Sequence, residues 1–148
     1  MSNDKNVIHF PSEKYVSELM AKINESEAYE AAAKDWEGDF IFEVIPDGTG
    51  ELKEKSQMYM DLWHGKCRNA YLITADKAAP ENVEYIYAGK YGNWLKLFAG
   101  EIGPLKGIMQ RKFDVKCSAR AMAKLMRALK AAQELVKCTT MVENVKYI

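Results

Sequence analysis

The chain has little of the chemistry on which enzymes and metal proteins depend. Its 148 residues include only two histidines and three cysteines. Cys67, Cys117 and Cys138 are an odd number, and their spacings match neither a disulfide framework nor a CxxC metal or redox motif. The GxSxG and HExxH motifs of hydrolases and zinc proteases are also missing. We therefore expect reduced, partly buried thiols and no metal centre.

The two histidines do not form a catalytic or metal-binding pattern. His9 lies in a polar N-terminal arm and His64 in a turn, and neither has a cysteine or histidine partner at metal-ligand spacing. The Gly48-Thr49-Gly50 segment resembles a phosphate loop only superficially, because no third glycine and no helix follow it. We expect a protein that is not an enzyme and that has no cofactor and no nucleic acid partner.

Long apolar runs are missing as well. No segment approaches the ~20 apolar residues of a membrane span, and the polar start of the chain lacks the apolar core of a signal peptide. We therefore expect a cytoplasmic protein. A length of 148 residues with 48% apolar content suits a single domain with a sizeable core. The sequence leaves the oligomeric state open.

A net charge of zero conceals an uneven distribution of charge. Residues 1–64 hold 6 lysines against 14 acidic residues, a net charge of −8, whereas residues 106–137 hold 9 basic and 2 acidic residues, a net charge of +7. Either the acidic and basic parts pack side by side and complement each other, or the basic part faces an anionic membrane or ligand.

Hydrophobic periodicity predicts helices at both ends of the chain and strands in the middle. Ser12 is a natural N-cap for an amphipathic helix, and a short second helix is predicted from Ser26 to Gly38. Alternating residues predict four strands and a β-meander within residues 39–89, with a tight turn at 64–66. A helix at 91–100, a short helix at 103–110, a fifth strand at 111–117 and one long amphipathic helix from Ser118 to near Lys137 complete the prediction.

Four segments resemble the sterol carrier protein family, a small lipid-transfer domain. They are "WEGDFIFEV", "YMDLWHGK", "YAGKYGNWLKLFAGEIGPLKGIM" and "KFDVKCSARAMAKL". The resemblance covers residues 12–137, which leaves an N-terminal arm at 1–11 and a C-terminal tail at 138–148. None of these segments is a catalytic motif, so the resemblance depends on their order and spacing.

The resemblance implies an α+β fold with a five-stranded, largely antiparallel sheet, helices over one face, and an apolar pocket between them. We expect that pocket to be lined by Phe40, Phe42, Met60, Leu62, Trp94, Phe98, Met122 and Met126. Eight methionines in the chain, several on inward faces, would suit an adaptable lining. An ordinary filled core would give the same periodicity.

The implied function is non-enzymatic binding or transfer of an apolar ligand. Candidate ligands are a fatty acyl chain, acyl-CoA, an isoprenoid or a sterol-like lipid. An accessory or dimerisation module with a filled core is the alternative, and an enzyme acting on acyl substrates is a weaker one. Arg120, Lys124 and Arg127 share one face of the predicted last helix, which suggests a transient contact with anionic membranes.

Two positions depart from the family pattern. Arg111 and Cys117 stand where many members have glycine, which affects the predicted pocket entrance and the placement of the last helix. The tail "MVENVKYI" could cover the opening, and it does not end in the Ser-Lys-Leu peroxisomal signal.

Overall fold

The computed structural model describes residues 6–148. In chain order its strands and helices are β1 (Ile8–Phe10), α1 (Glu13–Glu25), α2 (Glu27–Ala32), β2 (Glu37–Ile45), β3 (Ser56–Trp63), β4 (Lys66–Leu72), β5 (Tyr85–Lys90), α3 (Tyr91–Phe98), α4 (Lys106–Met109), β6 (Phe113–Lys116), α5 (Ala119–Met126), α6 (Leu129–Thr139) and β7 (Val145–Tyr147). None of the helices in this part of the chain is long and apolar enough to cross a membrane.

Serine side chains begin three of the helices. The hydroxyl of Ser12 accepts a hydrogen bond from the backbone N–H of Tyr15, and Ser26 and Ser118 cap α2 and α5 in the same way. Each cap satisfies one of the backbone N–H groups that have no partner within the first turn of a helix. The helix starts that the sequence predicted at these serines are confirmed.

Five strands form the main sheet, in the order β4-β3-β2-β5-β6. The pairs β4–β3, β3–β2 and β5–β6 are antiparallel, and β2 and β5 are parallel. Strands β2, β3 and β4 form the predicted meander, after which the chain returns to place β5 against the central strand β2. The prediction of an α+β fold with a largely antiparallel five-stranded sheet is confirmed.

The two faces of the sheet have different surroundings. Along β2 the side chains of Phe40 and Val44 are buried on the helix-covered face, as the two-residue period of a strand requires. On the opposite face Tyr59 and Tyr71 pack against each other, with ring centroids 5.2 Å apart. The helical layer and the larger part of the core therefore lie on the Phe40 side.

The hairpin between β3 and β4 requires glycine. His64 and Gly65 have φ angles of 51° and 80°, the left-handed conformation of tight two-residue hairpin turns. A Cβ atom at Gly65 would lie 2.7 Å from the backbone oxygen of Glu30, so the turn packs directly on the end of α2. Gly65 therefore fixes the distance between this hairpin and the helical layer.

Two helix predictions are wrong in their extent. The second helix ends at Ala32, not near Gly38, and residues Glu37 and Gly38 belong to β2. The final helix is two helices, α5 and α6, because the backbone N–H groups of Arg127 and Ala128 bond to carbonyls three residues back and tighten the turn there. Leu129, the first residue of α6, is 47% exposed.

A second, two-stranded sheet joins the N-terminal arm to the C-terminal tail. Strand β1 pairs with β7 in parallel, with Phe10 opposite Tyr147. The backbone N–H groups of Ile8 and Ile148 donate to the carbonyls of Asn144 and Phe10, which extends the pairing at both ends. This sheet holds the completely buried Phe10 ring in the core.

Candidate functional site

A cavity of about 100 Å³ lies between the main sheet and the helices. Its wall comes from β1, β2, β3 and β5 on one side and from every helix except the short α4 on the other. The wall residues are Phe10, Tyr15, Leu19, Tyr29, Trp36, Phe40, Phe42, Met58, Met60, Leu62, Tyr87, Trp94, Leu97, Phe98, Pro104, Leu105, Leu125, Ala128, Ala131, Ala132, Leu135, Val136 and Thr139.

Six of the eight residues predicted to line a pocket lie in this wall. They are Phe40, Phe42, Met60, Leu62, Trp94 and Phe98. Met122 and Met126 are not wall residues, and instead they pack half-buried against the core from α5. Leu125 is the residue of α5 that lines the cavity, and beyond it the wall continues from Ala128 along α6 to Thr139.

Part of the wall could be found from the sequence and part could not. Tyr15 and Leu19 are four residues apart on an amphipathic helix, so helical spacing places them together on the inner face. The sequence pattern does not predict Phe10 as a wall residue, because a strand of three residues is too short to show a hydrophobic period. The small side chains of Ala128, Ala131 and Ala132 also escaped notice, although small residues leave the space that a cavity needs.

Stacked aromatic rings form the sheet side of the wall. The rings of Phe40 and Phe42 are parallel with centroids 5.0 Å apart, and Trp94 meets Phe42 edge-on at 6.0 Å. The indole N–H groups of Trp36 and Trp94 donate to the backbone carbonyls of Gly38 and Glu43, at 3.1 and 3.0 Å. Because these polar atoms are already bonded, the rings leave apolar surface to the cavity.

Among residues 6–148, none of those that line the cavity is Asp, Glu, His, Lys or Arg. The titratable wall groups are tyrosines, and burial raises the pKa of Tyr29 and of Tyr87, so both hydroxyls keep their protons at neutral pH. The hydroxyl of Tyr87 donates to the carbonyl of Pro104 at 2.6 Å. The arrangement can therefore exclude water and surround an apolar molecule, and it places no acid–base pair beside it.

The histidines and cysteines lie away from the wall. His64 contacts the carboxylate of Glu37, with Nε2 and Oε2 2.6 Å apart, and His9 is exposed on β1. Burial raises the pKa of the Cys67 thiol to about 12, so this cysteine stays protonated and unreactive at neutral pH. Within residues 6–148, no three His, Cys, Asp or Glu side chains are grouped so as to hold a metal ion.

The three basic residues predicted to face a membrane differ in their surroundings. The Lys124 ammonium lies 2.8 Å from Glu84 Oε1 and 2.7 Å from the carbonyl oxygen of Glu37, and 5.2 Å from the centre of a Trp36 ring. Arg120 and Arg127 are exposed. Arg127 follows the end of α5, so the three residues do not share one continuous helix face.

A polar depression of about 440 Å³ lies next to Lys124 on the other face of the sheet. Its carboxylates are bonded within the protein, since Asp61 pairs with Arg68 at 3.1 Å and Asp39 accepts the hydroxyl of Tyr59 at 2.8 Å. These charged groups of the depression are therefore paired with partners inside the protein.

Residues 16–130 match the model of the SCP-2 sterol transfer family. The chain belongs to this family. A search of curated protein sequences found no match. The structure resembles a crystal structure of sterol carrier protein 2 at 31% identity, with a TM-score of 0.75 over 88% of this chain and 97% of the other.

Two further solved structures share this architecture. One is a conserved hypothetical protein of Thermus thermophilus, described as possibly a sterol carrier protein, with 31% identity, a TM-score of 0.75, and coverage of 88% of this chain and 87% of the other. The other is sterol carrier protein 2 like 2 from Aedes aegypti, which at 13% identity and a TM-score of 0.51 shows the fold alone, over 77% of this chain and 92% of the other.

Arg111, just before β6, has an unusual backbone conformation. Its φ angle is 62°. This left-handed conformation is accessible to glycine without steric cost and is unfavourable for arginine. The turn before β6 therefore holds an arginine in a conformation that glycine would adopt at lower cost.

Proposed function

We propose that this protein binds an apolar lipid in the cavity and carries it, chemically unchanged, in the cytoplasm. Fatty acyl chains, acyl-CoA, isoprenoids and sterol-like lipids are the candidate ligands. The observation that carries the proposal is a wall of 23 residues without one charged side chain, enclosed between the sheet and the helices of a sterol carrier fold. A filled core would support the accessory-module alternative instead.

The cavity must widen to hold such a ligand. Its volume of about 100 Å³ is below the ~300–1,000 Å³ of typical small-molecule sites. Phe98, Ala128, Ala132 and Leu135 are wall residues that are only half-buried, so the opening lies between α3 and the start of α6. No side chain caps the N-terminus of α6, and a small outward movement of that end would enlarge the cavity.

The expected affinity is moderate. Burying roughly 300 Å² of ligand apolar surface at ~25 cal/mol per Å² gives about 7.5 kcal/mol before the costs of association are subtracted. Dissociation constants in the micromolar range or weaker follow from this estimate. Such affinity suits a carrier, which must also release its ligand.

The binding test uses natively purified protein and phenylnaphthylamine, an uncharged fluorescent probe. We expect one probe to bind per chain, and we expect mass spectrometry of an organic extract to find a co-purified lipid. Ala132→Trp places an indole at the opening and should weaken probe binding at least tenfold. Gln133→Trp adds the same ring on the exposed side of the same helix and should leave binding unchanged.

Absence of probe binding by the wild-type protein, together with a lipid-free extract, would contradict the carrier proposal. The non-enzymatic part has its own test. His9→Ala and His64→Ala should each leave probe binding within a factor of about three, a change below ~0.7 kcal/mol. If the wild-type protein hydrolyses added acyl esters and either histidine variant does not, the protein is an enzyme.

A further inference from the structure

The cavity wall contains one enclosed hydroxyl without a hydrogen-bond partner. Tyr15 is 1% exposed and belongs to the wall, and within residues 6–148 no atom accepts from or donates to its hydroxyl. The polar groups of Trp36, Trp94 and Tyr87 in the same wall are all bonded to backbone carbonyls. An enclosed donor without an acceptor is destabilising, and buried groups of this kind are uncommon in native proteins.

The surroundings of Tyr15 keep its hydroxyl a donor. Its ring packs edge-on against Phe10 at 4.8 Å and lies 6.5 Å from Phe98, and both neighbours are wall residues. Burial raises the pKa of Tyr15 well above its usual range, so the hydroxyl stays protonated at every physiological pH. The hydroxyl is therefore a donor without a partner at the edge of the wall, within reach of an acceptor only once the cavity has widened to hold a ligand.

The charge of the wall limits which acceptor can enter. An ionised carboxylate drawn fully into the cavity would lose its hydration and meet no cation there, since none of the wall residues within 6–148 is Lys, Arg or His. A hydroxyl, ketone or ester oxygen loses much less hydration and can accept a single hydrogen bond. The apolar wall would surround the rest of such a molecule.

We propose that the Tyr15 hydroxyl binds the neutral polar group of the lipid, so that the protein selects lipids with an alcohol, ketone or ester oxygen over ionised fatty acids. This inference rests on the proposed function, because it specifies the ligand of the same cavity. Tyr91 provides an internal comparison: its hydroxyl is also enclosed and unpartnered within the described residues, but Tyr91 is not part of the wall.

The test combines two variants with three competitors of equal chain length: dodecane, dodecanol and dodecanoate. Each competitor displaces phenylnaphthylamine from the wild-type protein, Tyr15→Phe and Tyr91→Phe. For Tyr15→Phe we expect dodecanol to bind about five- to tenfold more weakly than to wild type, the usual effect of one hydrogen bond, and dodecane to bind equally well. Tyr91→Phe should change neither value, which separates a ligand contact from the general effect of removing a buried hydroxyl.

Several results would overturn the inference. If Tyr15→Phe does not weaken the binding of dodecanol more than the binding of dodecane, Tyr15 does not bind the polar group, although the cavity binds lipid. If dodecanoate at pH 8 binds as tightly as dodecanol, the selection against ionised groups is wrong. If wild-type protein binds neither the probe nor dodecane, the proposed function fails as well.

A spectroscopic measurement covers the case in which Tyr15→Phe is poorly folded. In the infrared spectrum, the ester carbonyl stretch of methyl dodecanoate bound to the wild-type protein should lie at a lower frequency than in hydrocarbon solvent. The ester bound to Tyr91→Phe should show the same shift. A carbonyl band at the hydrocarbon position in the wild-type complex would exclude the hydrogen bond directly.

Discussion

A substitution that fills the cavity should stabilise the protein. Ala131 is a wall residue in α6, 9% exposed, and leucine adds three carbon atoms at this position. A cavity of about 100 Å³ is several times the ~10–15 Å³ needed to admit one water-sized group, so it has room for the three added carbon atoms. At ~0.8 kcal/mol per buried methylene, burial of the three carbon atoms stabilises the folded protein by about 2.4 kcal/mol. The leucine side chain loses rotamer freedom on folding, which reduces the net stabilisation to about 1.5 kcal/mol.

Thermal unfolding followed by circular dichroism measures this effect. At about 2–4 °C per kcal/mol for a chain of this size, Ala131→Leu should raise the Tm by about 3–6 °C. The same variant should bind phenylnaphthylamine more weakly, because the added side chain occupies the space of the probe. Gln133→Leu, on the exposed side of α6, should change the stability by less than about 0.5 kcal/mol.

The opposite sign would refute the reasoning. If the space around Ala131 is a filled core, leucine overpacks it and destabilises the protein by about 1–3 kcal/mol, which lowers the Tm. That result would favour the accessory-module alternative. An unchanged Tm with unchanged probe binding would show that the new side chain does not enter the cavity.

Two further predictions concern the surface. The Asp47 carboxylate accepts the N–H of Gly92 at 3.0 Å and so caps α3, and Asp47→Ala should cost about 0.5–1 kcal/mol. Hydrogen bonds from the backbone N–H groups of Thr49 and Gly92 lower the pKa of Asp47. The stability difference should therefore be constant above about pH 5 and shrink below about pH 4, where the carboxylate takes up a proton; a difference that persists at pH 2 would contradict this account. The double variant Arg120→Glu, Arg127→Glu keeps Lys124, which is paired with Glu84. It should no longer sediment with anionic liposomes at low salt. Equal sedimentation of the wild-type protein and the double variant would exclude a membrane role for these arginines.

Local signals were enough to predict the main sheet and most of the helix starts. The alternation of Phe40, Phe42 and Val44 identifies the inner face of β2, because neighbouring side chains of a strand point to opposite faces. Ser12 and Ser118 identify helix starts because their hydroxyls satisfy free backbone N–H groups. These features are determined by residues close together in the chain.

The remaining features depend on contacts between distant parts of the chain. The break after α5 involves neither glycine nor proline, so nothing in the local sequence separates Met126 from Leu129. The turn there places alanines of α6 at the cavity, which is a matter of packing between elements. Helical spacing places Met122 and Met126 on the inward face of the last helix, but it does not show that Leu125 lines the cavity instead.

The pairing of β1 with β7 has a consequence for the order in which the protein folds. Ile8 and Val145 are 137 residues apart in the sequence, and contacts of such separation form late because a long loop must close first. We therefore expect the Phe10 side of the cavity to be completed after the sheet and the inner helices are in place. A lipid present during folding can be enclosed at that stage, without any later opening of the finished wall.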